Sequence, residues 1–321
     1  MIKFMENQAI VTILTPTYNR AHQLPALYKS LCMQSNKCFV WCVVDDGSAD
    51  NTVEVVNEMI KTASFPIVFI NKKNGGKHTA LNAGLKNIDT PLVFIVDSDD
   101  TVTPDAVEVI SKYLVSYADD EDICGFSFLR AFPDGKINGN LFSQDELVTT
   151  YINARINSND MLSDKAEVYK TKCLHEFTFP EYENEKFLGE DIVWIRMARK
   201  YKMLHVNRAI YVGEYQTDGL TKNRRFHNLH SPKGCTERAK EYLYKDICIK
   251  MRIKGYFQYL IYGKFSGYTV NELFKSAPNK FMCLVFYVPA MLIKFKWGRA
   301  LKKEKKRDLI EKNRNNYRSG L

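Results

Sequence analysis

Short apolar runs alternate with helical periodicity through the first third of the chain. AIVTILTP (residues 9–16) reads as a buried strand that Pro16 stops. HQLPALYKSLCMQ follows with Leu24, Leu27, Tyr28 and Leu31 on one helical face. CFVWCVVDDGS is a second apolar strand, ending in acids and a turn. DNTVEVVNEMIK sets Val53, Val56 and Ile60 on one side of a helix. PIVFIN, KHTALNAGLKNI and PLVFIVD predict strand, helix and strand again. Thr103, Pro104 and Asp105 then read as N-cap, first-turn proline and dipole-matched acid of a helix over DAVEVISKYLVSY.

The order βαβαβαβ, with strands too uniformly apolar to have a wet face, predicts a mostly parallel sheet covered by helices on both sides. Ligands of such sheets bind beyond the carboxyl ends of the strands. Polar residues gather at those ends: Thr15 to Asn19, Asp45 and Asp46, Asn71 to Lys77, and Asp97 to Asp100. Further on, ICGFSFLRAF and KAEVYKT read as strands around a turn-rich PDGKINGN. EDIVWIRMARKY reads as a helix and MLHVNRAIYVGEY as strand-like. Beyond Ser231 the pattern is helical, which divides the chain into an α/β domain over 1–230 and a helical extension over 231–321.

The candidate chemistry sits on the polar strand ends. LVFIVDSDDTV delivers a buried strand into Asp97, Asp99 and Asp100, like charges that repel unless something positive lies among them. Asp97 and Asp99 suit a hard divalent cation that completes its shell with phosphate oxygens; a solvated turn explains the same residues. In VVDDGS, Asp45 or Asp46 can accept from a nucleobase or ribose, although Asp-Gly-Ser is also ordinary turn chemistry. NKKNGGKHTALN sets glycine backbone and Lys77 before a helix N-terminus, which favours anionic oxygens, but the pattern is common in loops. In FLGEDIVW, Glu190 and Asp191 open a helix, as caps or as a general base that Phe187 and Trp194 enclose. YVGEYQTDGLT fits a loop over the site or an ordinary hairpin.

The ordered set TPTYNR, VVDDGS, NGGKHTALNAG, DSDD and GEDIVW resembles the inverting family-2 glycosyltransferases of GT-A fold, across roughly residues 9–225. The resemblance implies that Thr15, Pro16 and Tyr18 line a nucleotide pocket and that Asp46 meets the base. Lys77 would lie near base or diphosphate. Asp97 and Asp99, with Asp100 adjacent, would hold Mn2+ or Mg2+. Asp191 would be the general base, with Glu190 next in line. The implied donor is a nucleotide sugar, first of all a UDP-sugar, and the implied acceptor a hydroxyl of a glycan or lipid-linked saccharide. The chain has no clear QxxRW and no paired long apolar segments, which favours transfer of one sugar over processive synthesis. VFIVDSDDTV also fits the signature of haloacid-dehalogenase-like phosphatases, with Asp97 as nucleophile, and a non-catalytic nucleotide- or glycan-binding domain is a third reading.

Charge adds one element. Lys294 to Leu321 carries eleven Lys and Arg against three acids, leaving only about +1 of the net +9 for the rest. No nucleic-acid module accompanies this tail, so nucleic acid is not the expected partner. FMCLVFYVPAMLI (281–293) is uncharged, and at ~1.5 Å per residue it spans only ~20 Å, short of a ~30 Å hydrocarbon core. Pro289 is expected to break or kink a helix there. Apolar insertion beside a polybasic patch predicts a peripheral protein on an anionic membrane surface, with a buried core helix as the alternative. No secretory signal is evident, and eight cysteines without a CxxC pair suggest reduced thiols in the cytoplasm.

Overall fold

The computed structural model describes residues 8–158, 163–213 and 224–318, the side chains of the last segment as far as 303. The loop reading of residues 214–221 and the side chains of most of the basic tail lie outside the described residues. Two compact units result, Met1–Gly219 and Leu220–Leu321.

The first unit begins β1 (Val11–Thr17), α1 (Leu24–Cys32), β2 (Phe39–Asp45), α2 (Thr52–Thr62), β3 (Ile67–Asn71), α3 (Lys77–Leu85) and β4 (Leu92–Ile95). It continues with β5 (Thr101–Val102), α4 (Ala106–Tyr117), β6 (Ile123–Ala131), β7 (Leu147–Thr149) and β8 (Lys165–Lys170). It closes with α5 (Thr171–His175), α6 (Asp191–Ala198) and β9 (Lys202–Val212). The sheet runs β3-β2-β1-β4-β8-β6-β9-β5, with β7 against β9. The expected parallel half is present as β3, β2, β1 and β4. Beyond it the sheet is mixed: β8 is antiparallel to both β4 and β6, and β6 is parallel to β9. Helices cover both faces. Ile13, Trp41, Phe94 and Phe126 face one apolar layer with Leu27, Val56 and Ile110; Leu14, Val44 and Tyr169 face the other with Leu81, Ile192 and Trp194.

Two local expectations are corrected. Pro16 does not stop β1, which continues to Thr17 with Pro16 opposite Val44. In a parallel strand, alternate residues bond to opposite neighbours. Leu14 accepts from Val96 on the β4 side, so the imide of Pro16 faces that side too, where β4 pairing has already ended. Thr103 is not the N-cap of α4; Asp105 stands there, and Thr103 Oγ1 donates to it at 2.7 Å. Thr103 is instead held to Ile210 by its backbone N–H, prolonging the β5–β9 pairing.

The second unit comprises α7 (Arg224–His230), α8 (Pro232–Glu241), α9 (Ile249–Phe265), α10 (Val270–Ser276) and α11 (Lys280–Arg318). Contrary to expectation, α11 runs through Pro289 without a break. Its first turns, residues 281–293, carry no charge. Cys283 and Ala290 are fully buried among Tyr256, Tyr259, Leu260 and Leu273, small residues that let α11 approach α9 closely. Phe286 stacks on Tyr256 at 5.9 Å, and Trp297 lies 6.0 Å from Tyr262. The opposite stripe of Phe281, Leu284, Val285, Val288, Leu292 and Phe295 is exposed, each residue 49–70%.

His205 offers a stability test. Fully buried on β9 against Phe142, its imidazole is pushed down to about 4, chiefly by burial, with Arg155 and Lys165 acting in the same direction. Between the unfolded value near 6.5 and this folded value the unfolded chain binds more protons, so stability rises with pH across that window. Denaturant midpoints should therefore fall from pH 7 to pH 5, on the order of 1–2 kcal/mol from this group. The His205→Phe variant should lose that part of the pH dependence.

Candidate active site

The carboxyl ends of β1, β2 and β4 converge with the starts of α3 and α6. At the end of β2, Asp45 is fully buried and its Oδ1 accepts from the Ser48 backbone (3.1 Å) and hydroxyl (2.5 Å), which closes the turn at Gly47. Asp46, also buried, turns to the glycine loop. Its Oδ1 accepts from Lys72 Nζ at 2.7 Å and Gly75 N–H at 2.9 Å, its Oδ2 from Gly76 N–H at 2.6 Å. Gly76 has φ +97°, and a methyl group there would lie 2.0 Å from the carbonyl oxygen of Lys186. Both glycine properties are thus needed, permissive backbone and absent side chain. The loop they shape delivers Lys77 as the first residue of α3.

Lys77 Nζ bridges Asp97 Oδ1 at 2.6 Å and Glu190 Oε1 at 2.7 Å. Burial alone would lower the ammonium's pKa, but the two carboxylates outweigh it and hold Lys77 above its ordinary range. Glu190 is the N-cap of α6, yet its side chain makes no cap hydrogen bond. It is spent on Lys77. Burial raises its pKa, with Asp97 and Asp191 adding and Lys77 opposing. Asp191 is half-buried as the first residue of α6.

A second cation secures the other side. Arg130 Nη2 meets Asp100 Oδ1 at 2.8 Å and Nη1 meets Asp164 Oδ2 at 2.5 Å. Tyr211 Oη donates to Asp100 Oδ2 at 2.8 Å and accepts from the Asp97 backbone N–H at 3.0 Å. Gly213 makes room, since a methyl there would lie 1.6 Å from Asp100 Oδ1. Burial pushes Asp100 up to about 7 despite Arg130. Asp99 is raised as well, by burial first and then by Asp97, with Arg20 opposing. One oxygen from each of Asp97, Asp99 and Asp100 lies within 4.8 Å of the others. Asp97 and Asp99 are accessible, whereas both oxygens of buried Asp100 already accept hydrogen bonds. Such closely set hard oxygens fit a divalent cation, with Asp97 and Asp99 the open pair and Asp100 anchored beside them.

The remaining expected residues divide. Thr15 is fully buried and its Oγ1 accepts from the Trp41 indole at 3.0 Å, so its side chain serves the core layer and not the cleft. Pro16 is buried in the strand, and Tyr18 is about half-exposed beyond its end. Sequence reasoning missed Arg130, Tyr211, Arg20 and Glu167. The available signals were Arg130 in a strand otherwise without charge and Glu167 alternating with apolar residues in KAEVYK, charges that buried strands tolerate only with partners or a function.

The parallel half-sheet, the acids at its carboxyl edge and the helix-borne pair opposite define a GT-A architecture. Solved structures agree in fold. S. aureus TarS 1–349 in complex with UDP superposes with TM-score 0.57 at 18% identity, covering 84% of this chain and 81% of that one. The mannosyltransferase PcManGT of Pyrobaculum calidifontis, in complex with GDP-Man and Mn2+, gives 0.54 at 15% identity, covering 90% and 83%. Residues 12–155 match the family model Glycosyl transferase family 2. Glycosyltransferase GlyA of Streptococcus pneumoniae is 24% identical over 225 residues, 66% of this chain and 31% of that protein. Chondroitin synthase of Pasteurella multocida is 33% identical over 150 residues, 44% of this chain and 15% of that protein. The chain thus spans less than a third of the length of these curated relatives. The phosphatase reading of Asp97 has no support in the family match, and Asp97 follows the fourth strand, not the first.

Arg130 gives a direct test of the electrostatics. Arg130→Met should strand buried Asp100 and destabilise the protein by about 3–5 kcal/mol at pH 8, as removal of one partner of a buried pair does. The deficit should shrink at pH 5, where a carboxyl already raised to about 7 is neutral. Urea melts at both values measure it.

Proposed function

We propose that the chain transfers a single sugar from a nucleotide-sugar donor, UDP-linked first of all, to a hydroxyl of a glycan or lipid-linked acceptor, with inversion. The observation that carries this reading is the Lys77 bridge, which ties the acid cluster after β4 to the Glu190–Asp191 pair at the start of α6. Leaving-group chemistry and proton removal need opposite charge management a few ångströms apart, and this bridge separates the two acidic groups by one cation. The fold neighbours were solved in complex with UDP, with UDP-GlcNAc, and with GDP-Man and Mn2+, which supports the donor class.

In this reading Asp97 and Asp99, with Asp100 beside them, hold Mn2+ or Mg2+. An ion held there would supply charge neutralisation to a diphosphate leaving group. Lys77 adds a fixed positive charge on the same side. Asp191 accepts the proton of the attacking acceptor hydroxyl, and Glu190 keeps Lys77 in place. Asp46 acts on the nucleotide through the loop it pins, and Tyr18 lines the open rim. Hydrolysis of a panel of nucleotide sugars tests this scheme. Mn2+ should support turnover, EDTA or Asp99→Ala should abolish it, and Asp191→Asn should lower it ~10²-fold or more while UDP still binds. Full activity in EDTA would overturn the metal role; full activity in the Asn variant would move the base elsewhere, with Glu190 next.

The second unit we read as the membrane-associating part of a peripheral cytoplasmic protein. Lys280–Lys303 is a 24-residue apolar helical segment, ~36 Å at 1.5 Å per residue, so length does not exclude a span as the shorter run 281–293 would. One face, however, is committed to α9 through Cys283, Phe286, Ala290 and Trp297, which favours lying in the interface over crossing it. Lys280, Lys294, Lys296 and Arg299 flank the bare stripe. The full chain should sediment with phosphatidylglycerol vesicles at low salt and less so at high salt. Replacing Phe281, Leu284, Val288 and Leu292 with Ser should abolish sedimentation and leave donor hydrolysis intact. Unchanged sedimentation of that variant would overturn the role of α11.

A further inference from the structure

Glu167 belongs to none of the motifs and to none of the contacts described so far. Its strand β8 runs antiparallel to β4, with Val168 opposite Phe94 and Tyr169 opposite Val93. Continuing that register places Glu167 beside Ile95, two residues before Asp97. Tyr169, two positions along and on the same strand face, stacks on Trp194 of α6 with ring centroids 4.4 Å apart. Glu167 therefore projects from the face covered by α3 and α6, the helices that open with Lys77 and Asp191. The charges that act on it are Arg155, Glu190, Asp164 and Lys77.

Half-buried, its carboxylate receives no hydrogen bond from any described residue. Arg155, the nearest opposing charge in effect, is turned to Ser163, whose backbone carbonyl accepts from Nη2. Burial pushes Glu167 up to about 7, the expected response of a carboxylate set in a wall without donors. An acceptor-only group so placed is poorly satisfied by the protein alone, and it becomes satisfied when a ligand brings O–H or N–H donors. Lys77 and Glu190, which form one ion pair of the bridge, both act on it through their charge. In the proposed scheme the sugar undergoing transfer is the part of the donor between the diphosphate and the base.

We propose that Glu167 is a specificity-determining residue that accepts hydrogen bonds from hydroxyl groups of the transferred sugar. This assignment rests on the glycosyl-transfer reading and adds to it a contact to the donor's sugar, separate from nucleotide and metal. No covalent step is asked of Glu167.

The test separates sugar from nucleotide on the full chain. Affinity for UDP and GDP is measured by titration in Mn2+, and kcat and KM for hydrolysis are measured across UDP-, GDP-, dTDP- and CMP-sugars. Glu167→Ala should bind the preferred nucleoside diphosphate within about twofold of the wild type, because the nucleotide contacts are untouched. Its kcat/KM for the preferred nucleotide sugar should fall about 10- to 100-fold, the range for one or two hydrogen bonds to a charged group. Glu167→Gln, which keeps a carbonyl acceptor, should recover part of the loss. Neither variant should melt below the wild type, since an unpartnered half-buried charge is removed. Wild-type kinetics in Glu167→Ala would overturn the assignment. So would a parallel loss of diphosphate and sugar-nucleotide binding, or a lowered melting temperature in both variants, either of which marks a structural role. A wild-type chain that binds no nucleoside diphosphate and hydrolyses no nucleotide sugar would overturn the glycosyl-transfer reading itself, and the assignment with it.

Discussion

Three carboxylates within 4.8 Å of one another at the end of a buried strand repel, and the first unit is organised around that repulsion. Two cations from separate elements meet it. Lys77 arrives from the start of α3 and Arg130 from the end of β6. They are not equivalent. Arg130 is almost fully buried, offers a planar fork to two acids and fixes Asp100 with Tyr211. Lys77 is about one-third exposed, a single ammonium shared between Asp97 and Glu190. The arginine suits a permanent support; the lysine suits a place where ligand charge arrives and leaves.

That division makes the glycine loop more than a connector. Lys77 reaches Asp97 because Asp46 pins Gly75 and Gly76, and because Gly76 lies against the Lys186 carbonyl without a side chain. Lys186 in turn leads into Glu190. The loop after β3 and the segment before α6 therefore fix each other's position, and the lysine bridge is the outcome of that contact. Asp46 and Asp191 thus share one scaffold.

The parallel half of the fold was legible because its strands are apolar on both faces and its helices carry clean periodicity. So was the acid cluster, because carboxylates at strand ends stand out against such strands. In the mixed half the long strands β6, β8 and β9 were legible too, but β5 has two residues and β7 three, too few for any period to register, and the antiparallel pairing of β8 had no local signal. The last helix of the second unit misled at Pro289. Pro289 suggested a break, but its only intrinsic cost is one lost hydrogen bond and a steric clash, which packing of the neighbouring Ala290 and Phe286 overrides. Thr15 misled differently: it lies in a motif beside the cleft, yet strand alternation turns its hydroxyl inward to Trp41. Arg130 and Glu167 carried a signal only in hindsight, because a single charge in a strand does not reveal its partner.

Charge is partitioned between the two units far more sharply than along the tail alone. Residues 1–219 hold 22 Lys and Arg against 30 acids, a net −8, while residues 220–321 hold 24 against 7, a net +17. An acidic unit gains nothing from an anionic surface, so attraction to one must come from the second unit. Screening makes this division workable. At physiological ionic strength the Debye length is about 8 Å, and charges farther than that from a surface hardly contribute. An apolar stripe and its flanking lysines therefore act on a surface mainly within that distance. The acids of the first unit remain available for what their geometry fits, cations and hydroxyl donors.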